Sequence, residues 1–349
     1  MSSAEHLAEV CEAFEAQDAH ETFETHETHE THETFEPFET LNRKIIVITG
    51  PTATGKTRLG ALLALQTDGE VVSADSMQIY KHMDIGTAKP TEEEKLGVPH
   101  HMIDIVQPWE EYSVSSYVSD ATSCIDDIRR RGKLPVIVGG TGLYIDSLIK
   151  GHGFQARGTP ALRQELSEEY DSSGGAAMLS KLSKFDPESA DKLHSNDKKR
   201  IVRAFEVYAT TGQTISKHDL NTKALPPRFE AVKIALTYSD RASLYRQIGK
   251  RVDAMLEKGL VSEVQTLLTM GARPGGTSMQ AIGYKEIVGA IMGRYEMDEA
   301  VEKIKMESRR YAKRQLTWLR RDNSIKWFSW EDEPDVESCV RMLTPALFE

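Results

Sequence analysis

The chain has 349 residues, a formal net charge of −11 and an apolar fraction of 39%. This length allows two compact domains, or one large domain that carries an insertion. No apolar run approaches the ~20 residues that a membrane-spanning helix needs, and the start of the sequence lacks the basic and apolar segments of a signal peptide. The three cysteines are far apart in the sequence, which argues against a zinc module or a disulfide framework. We therefore expect a cytoplasmic protein with no membrane partner.

The acidic charge is concentrated at the start of the chain. Residues 1–42 contain twelve acidic residues and no Lys or Arg, so the remainder carries a formal net charge of +1. In 20-HETFETHETHETHETFE-36 a Glu stands at every third position. Like charges at this spacing repel on a helix and Thr is a weak helix former, so the composition predicts a disordered, acidic, low-complexity tail. Its histidines could hold a transition metal weakly, but a solvated repeat explains the composition more simply.

After residue 43, apolar strands alternate with stretches of helical periodicity. The predicted strands are 45–49, 70–74, 101–105, 134–138 and 232–236. A helix is predicted from Ser113 to Arg131, with Gly132 ending it. This alternation is typical of an α/β fold with a mostly parallel sheet and helices on both faces.

Between residues 153 and 219 the strand pattern disappears. This segment instead shows several helices, which begin near Pro160, near Pro187 and at residue 197, the last one ending at Gly212. We interpret the segment as an all-helical insertion domain. The predicted domains are the tail 1–42, the core 43–152 and 220–349, and the insertion 153–219.

The stretch 50-GPTATGKT-57 fits the phosphate-binding pattern G-x-x-x-x-G-K-[ST] and directly follows the first strand. In such a P-loop, backbone N–H groups and a helix N-terminus hold phosphate oxygens, Lys56 adds a positive charge and Thr57 coordinates Mg²⁺. The predicted binding residues are Gly50, Pro51, Thr52, Ala53, Thr54, Gly55, Lys56 and Thr57. The core is therefore predicted to be a P-loop NTPase-like parallel sheet, although the motif alone does not identify the phosphate.

A P-loop hydrolase usually has an acid at the end of a second strand, where it helps to hold Mg²⁺. In this chain the predicted strand 134–138 has no acid at its end and runs into 139-GGTG-142. Asp75 does follow a strand, and an acid at a strand's carboxyl end is placed to contact a substrate. It is a candidate base, while an N-cap or an indirect Mg²⁺ ligand is the structural alternative. Arg241 follows the helix N-cap Asp240, where its charge and the helix dipole both favour an anion, although such arginines are usually solvated.

Basic residues are concentrated in two places. The segment 305–327 contains eight Lys and Arg residues against two acidic ones, and 198–203 contains four Lys and Arg residues. Such patches bind RNA backbone, and arginines can stack on splayed bases. A solvated helix face is the alternative interpretation of each.

These segments together resemble one family, the tRNA dimethylallyltransferases or tRNA isopentenyltransferases, over nearly all of residues 44–328. The matching blocks are 50-GPTATGKT-57, 75-DSMQIYKHMDIGTAKP-90, 99-PHHMIDI-105, 136-VIVGGTGLYIDSLIKG-151, 196-NDKKRIVRAFEVYATTG-212, 240-DRASLYRQIGKRVDAMLEKGL-260, 279-MQAIGYKE-286 and 312-AKRQLTWLR-320. The chain lacks the C-terminal Cys/His finger that eukaryotic members often add, so it resembles the bacterial type.

The resemblance implies transfer of the dimethylallyl group of dimethylallyl diphosphate to the exocyclic N6 amine of an adenine at position 37, beside the anticodon of tRNA. It implies that the P-loop holds the donor's diphosphate, with Mg²⁺ near Thr57. It also implies that Asp75 accepts the amine proton, that Thr52 reaches the leaving oxygen, and that Arg241 stabilises the diphosphate. An adenine in a stacked anticodon loop has to be extruded to react.

The family's tRNA contacts map onto positions spread along the chain. The implied contacts are Asp75, Ser76, Met77, Gln78, Thr141, Arg163, Lys199, Arg200, Ile201, Val202, Arg203, Gln280, Lys285, Lys313, Arg314 and Gln315. Met77 and His82 depart from the arginine and glycine seen in many members.

Three other functions remain open on the sequence. Free adenosine nucleotides could be prenylated instead of tRNA, a small-molecule kinase would place ATP in the same loop, and a non-catalytic RNA-binding protein would share the basic clusters. The helical insertion and the basic clusters favour a macromolecular acceptor. We therefore expect dimethylallyl diphosphate and the tRNA anticodon stem-loop as partners, and a monomer.

Overall fold

The computed structural model describes residues 44–151, 158–224 and 226–348, so the predicted acidic tail and its histidines lie outside the described residues. The strands in these residues are β1 (Lys44–Thr49), β2 (Gly69–Ser73), β3 (His100–His101), β4 (Leu134–Val138), β5 (Glu230–Tyr238) and β6 (Lys326–Trp330). The helices are α1 (Lys56–Gln66), α2 (Glu92–Lys95), α3 (Val114–Arg130), α4 (Gly142–Lys150), α5 (Pro160–Ser173), α6 (Gly175–Leu182), α7 (Pro187–Lys192), α8 (Lys198–Thr211), α9 (Ile215–Ala224), α10 (Arg241–Glu257), α11 (Leu260–Thr269), α12 (Tyr284–Ile291), α13 (Met297–Leu319) and α14 (Val336–Phe348). None of these helices is long and apolar enough to cross a membrane.

The strands form one six-stranded sheet in the order β3-β2-β4-β1-β5-β6. All of its neighbouring strands are parallel. The chain leaves β1 toward β2 on one side and later crosses to β5 on the other, so β1 and β4 lie where the direction of winding reverses. Ligands bind outside the carboxyl ends of the strands at such a point, and the P-loop lies there. The predicted α/β fold with a parallel sheet is confirmed.

Strand β1 shows why helices cover both faces of the sheet. Ile46 and Ile48 belong to one apolar cluster, with residues of α1, α10 and α14. Ile45 and Val47 belong to another, with residues of α3 and α4. A parallel strand buried on both faces is a continuous apolar run, which is why 45–49 was recognisable in the sequence.

Two strands differ from the sequence prediction. The predicted strand 101–105 is wrong, because only His100 and His101 pair with β2. Met102 and Asp104 have φ angles of 64° and 56°, in the left-handed region that a strand cannot contain. Strand β6 was not predicted, since 326–330 is largely exposed at the sheet edge and has no apolar run.

Helix α3 begins and ends where its sequence predicts. The Ser113 hydroxyl accepts a hydrogen bond from the Ser116 amide and caps the helix. Tyr117, Ala121 and Ile125 are fully buried along the predicted stripe. The helix packs on β2 and β4.

Helices α5 to α9 lie between α4 and β5 and have an apolar core of their own. The core includes Leu166, Met178, Leu182, Ile201 and Phe205. Helices α6 and α9 were not predicted individually. Proline at the start of α5 and α7 agrees with the two predicted helix starts.

Candidate active site

The P-loop is bent by one glycine that no other residue could replace without movement. Gly50 directly follows β1 with a φ angle of +136°, and a Cβ at this position would collide with the carbonyl oxygen of Leu236. Ala53 has a φ of 65° and Gly55, the N-cap of α1, a φ of 81°. These left-handed residues wind the chain tightly ahead of α1.

Aromatic side chains of β5 and β6 hold the loop from outside. The Tyr238 hydroxyl donates to the Ala53 carbonyl at 3.0 Å, and the Trp330 indole donates to the Thr54 carbonyl at 3.0 Å. The hydroxyl of fully buried Thr54 donates to the Pro51 carbonyl at 2.9 Å. These carbonyls are bonded to protein groups, and the Pro51 carbonyl also accepts the Lys56 ammonium at 2.5 Å. The loop therefore offers its N–H groups to an anion.

Two cations lie together beyond the loop, Lys56 and Arg251. Burial and the charge of Arg251 lower the pKa of Lys56 to about 7, against the opposing effect of Asp75. Burial also lowers the pKa of Arg251, again opposed by Asp75. Arg251 has no hydrogen bond or salt bridge with another described residue. A half-buried guanidinium without a protein partner loses hydration that only an anion or water in the cavity can replace, so the arrangement favours a bound anion.

Asp75 is fixed where β2 and β4 converge. The Ala74 amide donates to the Val138 carbonyl at 2.7 Å, and a Cβ on Gly139 would collide with Ala74. Oδ1 of Asp75 accepts the Met77 amide at 2.9 Å, which forms an Asx turn. Its other oxygen accepts no hydrogen bond from a described residue, so it remains available to a substrate.

The segment after Asp75 is held by Glu263 of α11. Its carboxylate accepts the amides of Asp84, Ile85 and Gly86 at 2.7 to 3.1 Å, and the Tyr284 hydroxyl at 2.6 Å. Three consecutive N–H groups around one carboxylate form an anion-binding nest. This nest positions the rim of the site without itself facing the cations.

One cavity of about 710 Å³ joins these parts. The residues lining it include Thr52, Ala53, Thr54, Gly55, Lys56, Thr57, Asp75, Ser76, Met77, Gln78, Arg251, Gln280, Lys285, Tyr311, Arg314 and Gln315. Ile248, Val252 and Met255 of α10 add an apolar wall. The cavity therefore combines cations, carboxylates that include Asp75, and apolar surface.

The structure does not bring Arg241 to this cavity. Arg241 is exposed in the first turn of α10 and is not among the described lining residues, whereas Arg251 of the same helix is. The sequence contained a signal for Arg251, because it is a charged residue beside the apolar positions Ile248, Val252 and Met255. Arg241 was predicted instead because it lies at the N-terminus of the helix, where the helix dipole favours an anion.

The predicted contacts in the insertion lie outside the cavity lining. Ile201 and Val202 are buried in the insertion's own core, so their side chains are not exposed to RNA. Arg163 and Arg203 both pair with buried Glu206, at 2.7 and 2.9 Å. Arg200 is exposed and pairs with Asp197 at 3.0 Å, and Lys199 is exposed.

Two of the predicted contact residues near the cavity have side chains that are hydrogen-bonded within the protein. Gln78 donates to the carbonyls of Thr87 and Ala88 and contacts Ser73, so it shapes the site from within. Thr141 accepts the Ser76 amide at 3.1 Å.

At the rim, the side chains are more open. Gln280, Lys313 and Arg314 are exposed, and Arg314 lies over the Tyr311 ring at 5.6 Å. Lys285 pairs with Glu286 at 3.5 Å. Positive and amide groups thus surround the entrance.

Comparison with known proteins agrees with this architecture. The family model "IPP transferase" matches residues 78–322, and the model "isopentenyl transferase" matches residues 43–105. A tRNA dimethylallyltransferase of Caldanaerobacter subterraneus is 50% identical over 83% of this chain and 92% of the relative, and one of Carboxydothermus hydrogenoformans is 47% identical over 88% and 98%.

Solved structures are similar over the same length. A tRNA isopentenylpyrophosphate transferase of Bacillus halodurans has a TM-score of 0.65 at 41% identity and covers 88% of this chain and 97% of its own. A eukaryotic dimethylallyltransferase acting on tRNA has a TM-score of 0.72 at 32% identity and covers 83% and 74%. The chain therefore belongs to the tRNA dimethylallyltransferases, a family of transferase enzymes.

Proposed function

We propose that the chain transfers the dimethylallyl group of dimethylallyl diphosphate to N6 of the adenine at position 37 of tRNA, beside the anticodon. The observation that carries this proposal is the cavity in which the P-loop, the two half-buried cations Lys56 and Arg251, and Asp75 meet. Family membership supports the same reaction, since the relatives are named for it.

The diphosphate is the part of the donor that the P-loop fits. Its oxygens would accept the loop's N–H groups, with Lys56 and Arg251 supplying positive charge. When the allylic C–O bond breaks, negative charge grows on the departing diphosphate, so cations already in place stabilise the transition state. Arg251 lines the cavity and has no hydrogen bond or salt bridge with another described residue, as this role requires.

Asp75 is the group suited to receive the proton. The adenine amine is a weak nucleophile because its lone pair is delocalised into the ring. As the N6–C bond forms and diphosphate leaves with the electrons of the C–O bond, one N6 proton would pass to the free carboxylate oxygen of Asp75. The apolar wall of α10 suits the dimethylallyl group and keeps water away.

Mg²⁺ fits the residues present, although the protein offers few ligands. The described residues contain no group of three acidic, His or Cys side chains that could hold a metal alone. Mg²⁺ usually binds through one or two protein oxygens together with substrate phosphates and water. The Thr57 hydroxyl would supply one such oxygen, and the ion would neutralise charge on the diphosphate.

A tRNA acceptor is favoured by the rim of the cavity. Exposed Arg314 and Gln280, together with Lys285, line the entrance and suit a phosphate backbone around an extruded adenine. The division into core 43–152 and 220–349 and a tRNA-contacting insertion 153–219 stays a prediction. Within that insertion, exposed Lys199 and Arg200 are better placed for RNA than buried Ile201 and Val202.

Free adenosine nucleotides are the second candidate acceptor. The isopentenyl transferase model matches residues 43–105, which contain the P-loop and Asp75. These residues would serve either acceptor. A mononucleotide, however, would leave the basic rim and the insertion without a role.

The test replaces the proposed base by its isosteric amide. Asp75→Asn keeps an oxygen for the Met77 amide and removes the carboxylate, so kcat should fall by about 10²- to 10⁴-fold, while the tRNA Kd changes less than about threefold. Single-turnover transfer of labelled donor and filter binding of tRNA measure the two quantities. Glu93→Gln, an exposed acid outside the cavity, is the matched control. Equal losses in kcat and in tRNA affinity would make Asp75 a binding residue.

A further inference from the structure

Gln315 connects two parts of the site that are far apart in the sequence. It lies on α13 and is only 7% exposed. Its Oε1 accepts the backbone amide of Thr52 at 3.1 Å, and its Nε2 donates to the carbonyl of Gly140 at 2.9 Å. One side chain thus joins the P-loop to the turn that follows β4.

This arrangement commits one acceptor site and one donor of the Gln315 amide to the backbone and fixes its orientation. Both ends of its amide group are already bonded to backbone, and a Cβ on residue 140 would collide with Nε2. We propose that Gln315 is a positioning residue that holds Thr52 of the P-loop in register with the Gly139-Gly140 turn for the transfer reaction. The proposal rests on the proposed function and replaces the tRNA contact predicted for this residue.

Glutamine is chemically suited to this position. The Thr52 N–H needs an acceptor and the Gly140 carbonyl needs a donor, and one amide side chain supplies both. Because the Thr52 amide is committed to Gln315, this bond fixes the backbone of residue 52. Thr52 itself lines the cavity, so this bond sets where its side chain stands relative to the donor.

The other half of the contact reaches the proposed base. Gly140 precedes Thr141, whose amide donates to the Ala74 carbonyl at 3.2 Å and whose hydroxyl accepts the Ser76 amide at 3.1 Å. Asp75 lies between Ala74 and Ser76 in the chain. Gln315 therefore fixes the distance between the loop that would hold the leaving group and the carboxylate that would take the proton, where misplacement by about 1 Å can cost about 10²-fold in rate.

Two substitutions at Gln315 distinguish its bond to the Thr52 amide from its bond to the Gly140 carbonyl. Gln315→Met has similar length and loses both hydrogen bonds, whereas Gln315→Glu keeps the acceptor for Thr52 and loses the donor to Gly140. Thr317→Val is the matched control, since Thr317 is exposed on the same helix and its hydroxyl bonds only within it. The measurements are kcat and KM for both substrates below the lowest Tm, and the tRNA Kd by filter binding without donor.

We expect Gln315→Met to lower kcat at saturating substrates by about 10- to 100-fold, and Gln315→Glu to lower it less. The tRNA Kd should stay within about twofold of wild type for both. A tRNA Kd weakened more than fivefold, with kcat restored at saturating tRNA, would make Gln315 an RNA contact and overturn the proposal. Lower Tm with unchanged kcat per folded molecule would reduce its role to stability and would also overturn it. If wild type itself transfers no label to tRNA, the proposed function fails, which is a separate result.

Discussion

Arg251 and Lys56 place two positive charges against one wall of the cavity. Arg251 has no hydrogen bond or salt bridge among the described residues, while Arg241 is exposed ten positions earlier on the same helix. The family resemblance implied Arg241 as the arginine of the diphosphate site. The geometry of the cavity instead supports Arg251.

A pair of substitutions decides between the two arginines. Arg251→Met should raise KM for dimethylallyl diphosphate by at least about tenfold, because a charge-assisted contact to phosphate contributes about 1.5–3 kcal/mol. Arg241→Met should change it less than about twofold. Steady-state kinetics at saturating tRNA provide the comparison, and the reverse order of effects would restore Arg241 to the site.

Lys56 makes donor binding depend on pH. Burial, then the charge of Arg251, lowers the pKa of Lys56 to about 7, so the free protein loses this proton as pH rises through about 7. A bound diphosphate favours the charged ammonium and raises the pKa again. At pH 8, donor binding should therefore take up close to one proton through Lys56.

Calorimetry of donor binding at pH 8, in two buffers of different ionisation enthalpy, measures this uptake. The quantity to compare is the number of protons taken up by wild type and by Lys56→Met. The wild type should take up more. Equal numbers would show that Lys56 does not change its protonation state when the donor binds, and would contradict the prediction.

At the scale of elements, the segment 84–90 depends on a helix far from it in sequence. Glu263 of α11 accepts three consecutive amides of this segment and the hydroxyl of Tyr284. Gly86 packs directly on the Tyr284 ring, where a Cβ would collide. The rim of the cavity is thus attached to α11 and α12.

Glu263→Gln should destabilise the protein by about 1–3 kcal/mol. The substitution keeps the shape of the side chain but turns one acceptor oxygen into an NH₂ group that faces N–H donors. Urea unfolding measures the free energy of unfolding, with Glu257→Gln, a substitution of an exposed acid on α10, as control. A change below about 0.5 kcal/mol, the size of an ordinary surface effect, would show that the nest is not needed for stability.

The strands that were predicted correctly are buried within the sheet, and those that were missed or misplaced are exposed or interrupted. Strands β1, β2, β4 and β5 are buried within the sheet, so their apolar runs were recognisable. Strand β6 is an exposed edge strand, and its aromatic residues Phe328 and Trp330 face the protein while Trp327 is exposed. The stretch after His101 reads as a strand by composition, but left-handed residues divert it.

The site was predictable in part for a similar reason. The P-loop and Asp75 are set by local sequence next to a strand end, so the motif located them. Arg251 and Glu263 act through packing between distant elements, and the bond between Gln315 and Thr52 joins residues 263 positions apart. A single sequence does not show which distant residues contact each other, so these contacts were not predicted.

At the scale of the whole molecule, the P-loop, Lys56, Arg251 and Asp75 line one cavity at the carboxyl ends of parallel strands, with basic residues around its entrance. The proposed function assigns the P-loop to a diphosphate donor, and the basic rim and the insertion to an RNA acceptor. The central claim is therefore the combination of these two substrates in one reaction.

The most direct test incubates the purified full chain with labelled dimethylallyl diphosphate and Mg²⁺, and offers either unmodified tRNA or adenosine monophosphate as acceptor. A parallel reaction with ATP in place of the prenyl donor tests for kinase activity. We predict label in tRNA, on the adenine beside the anticodon, with no transfer to the mononucleotide and no ATP consumption. Label on the mononucleotide alone, or ATP consumption without prenyl transfer, would contradict the account.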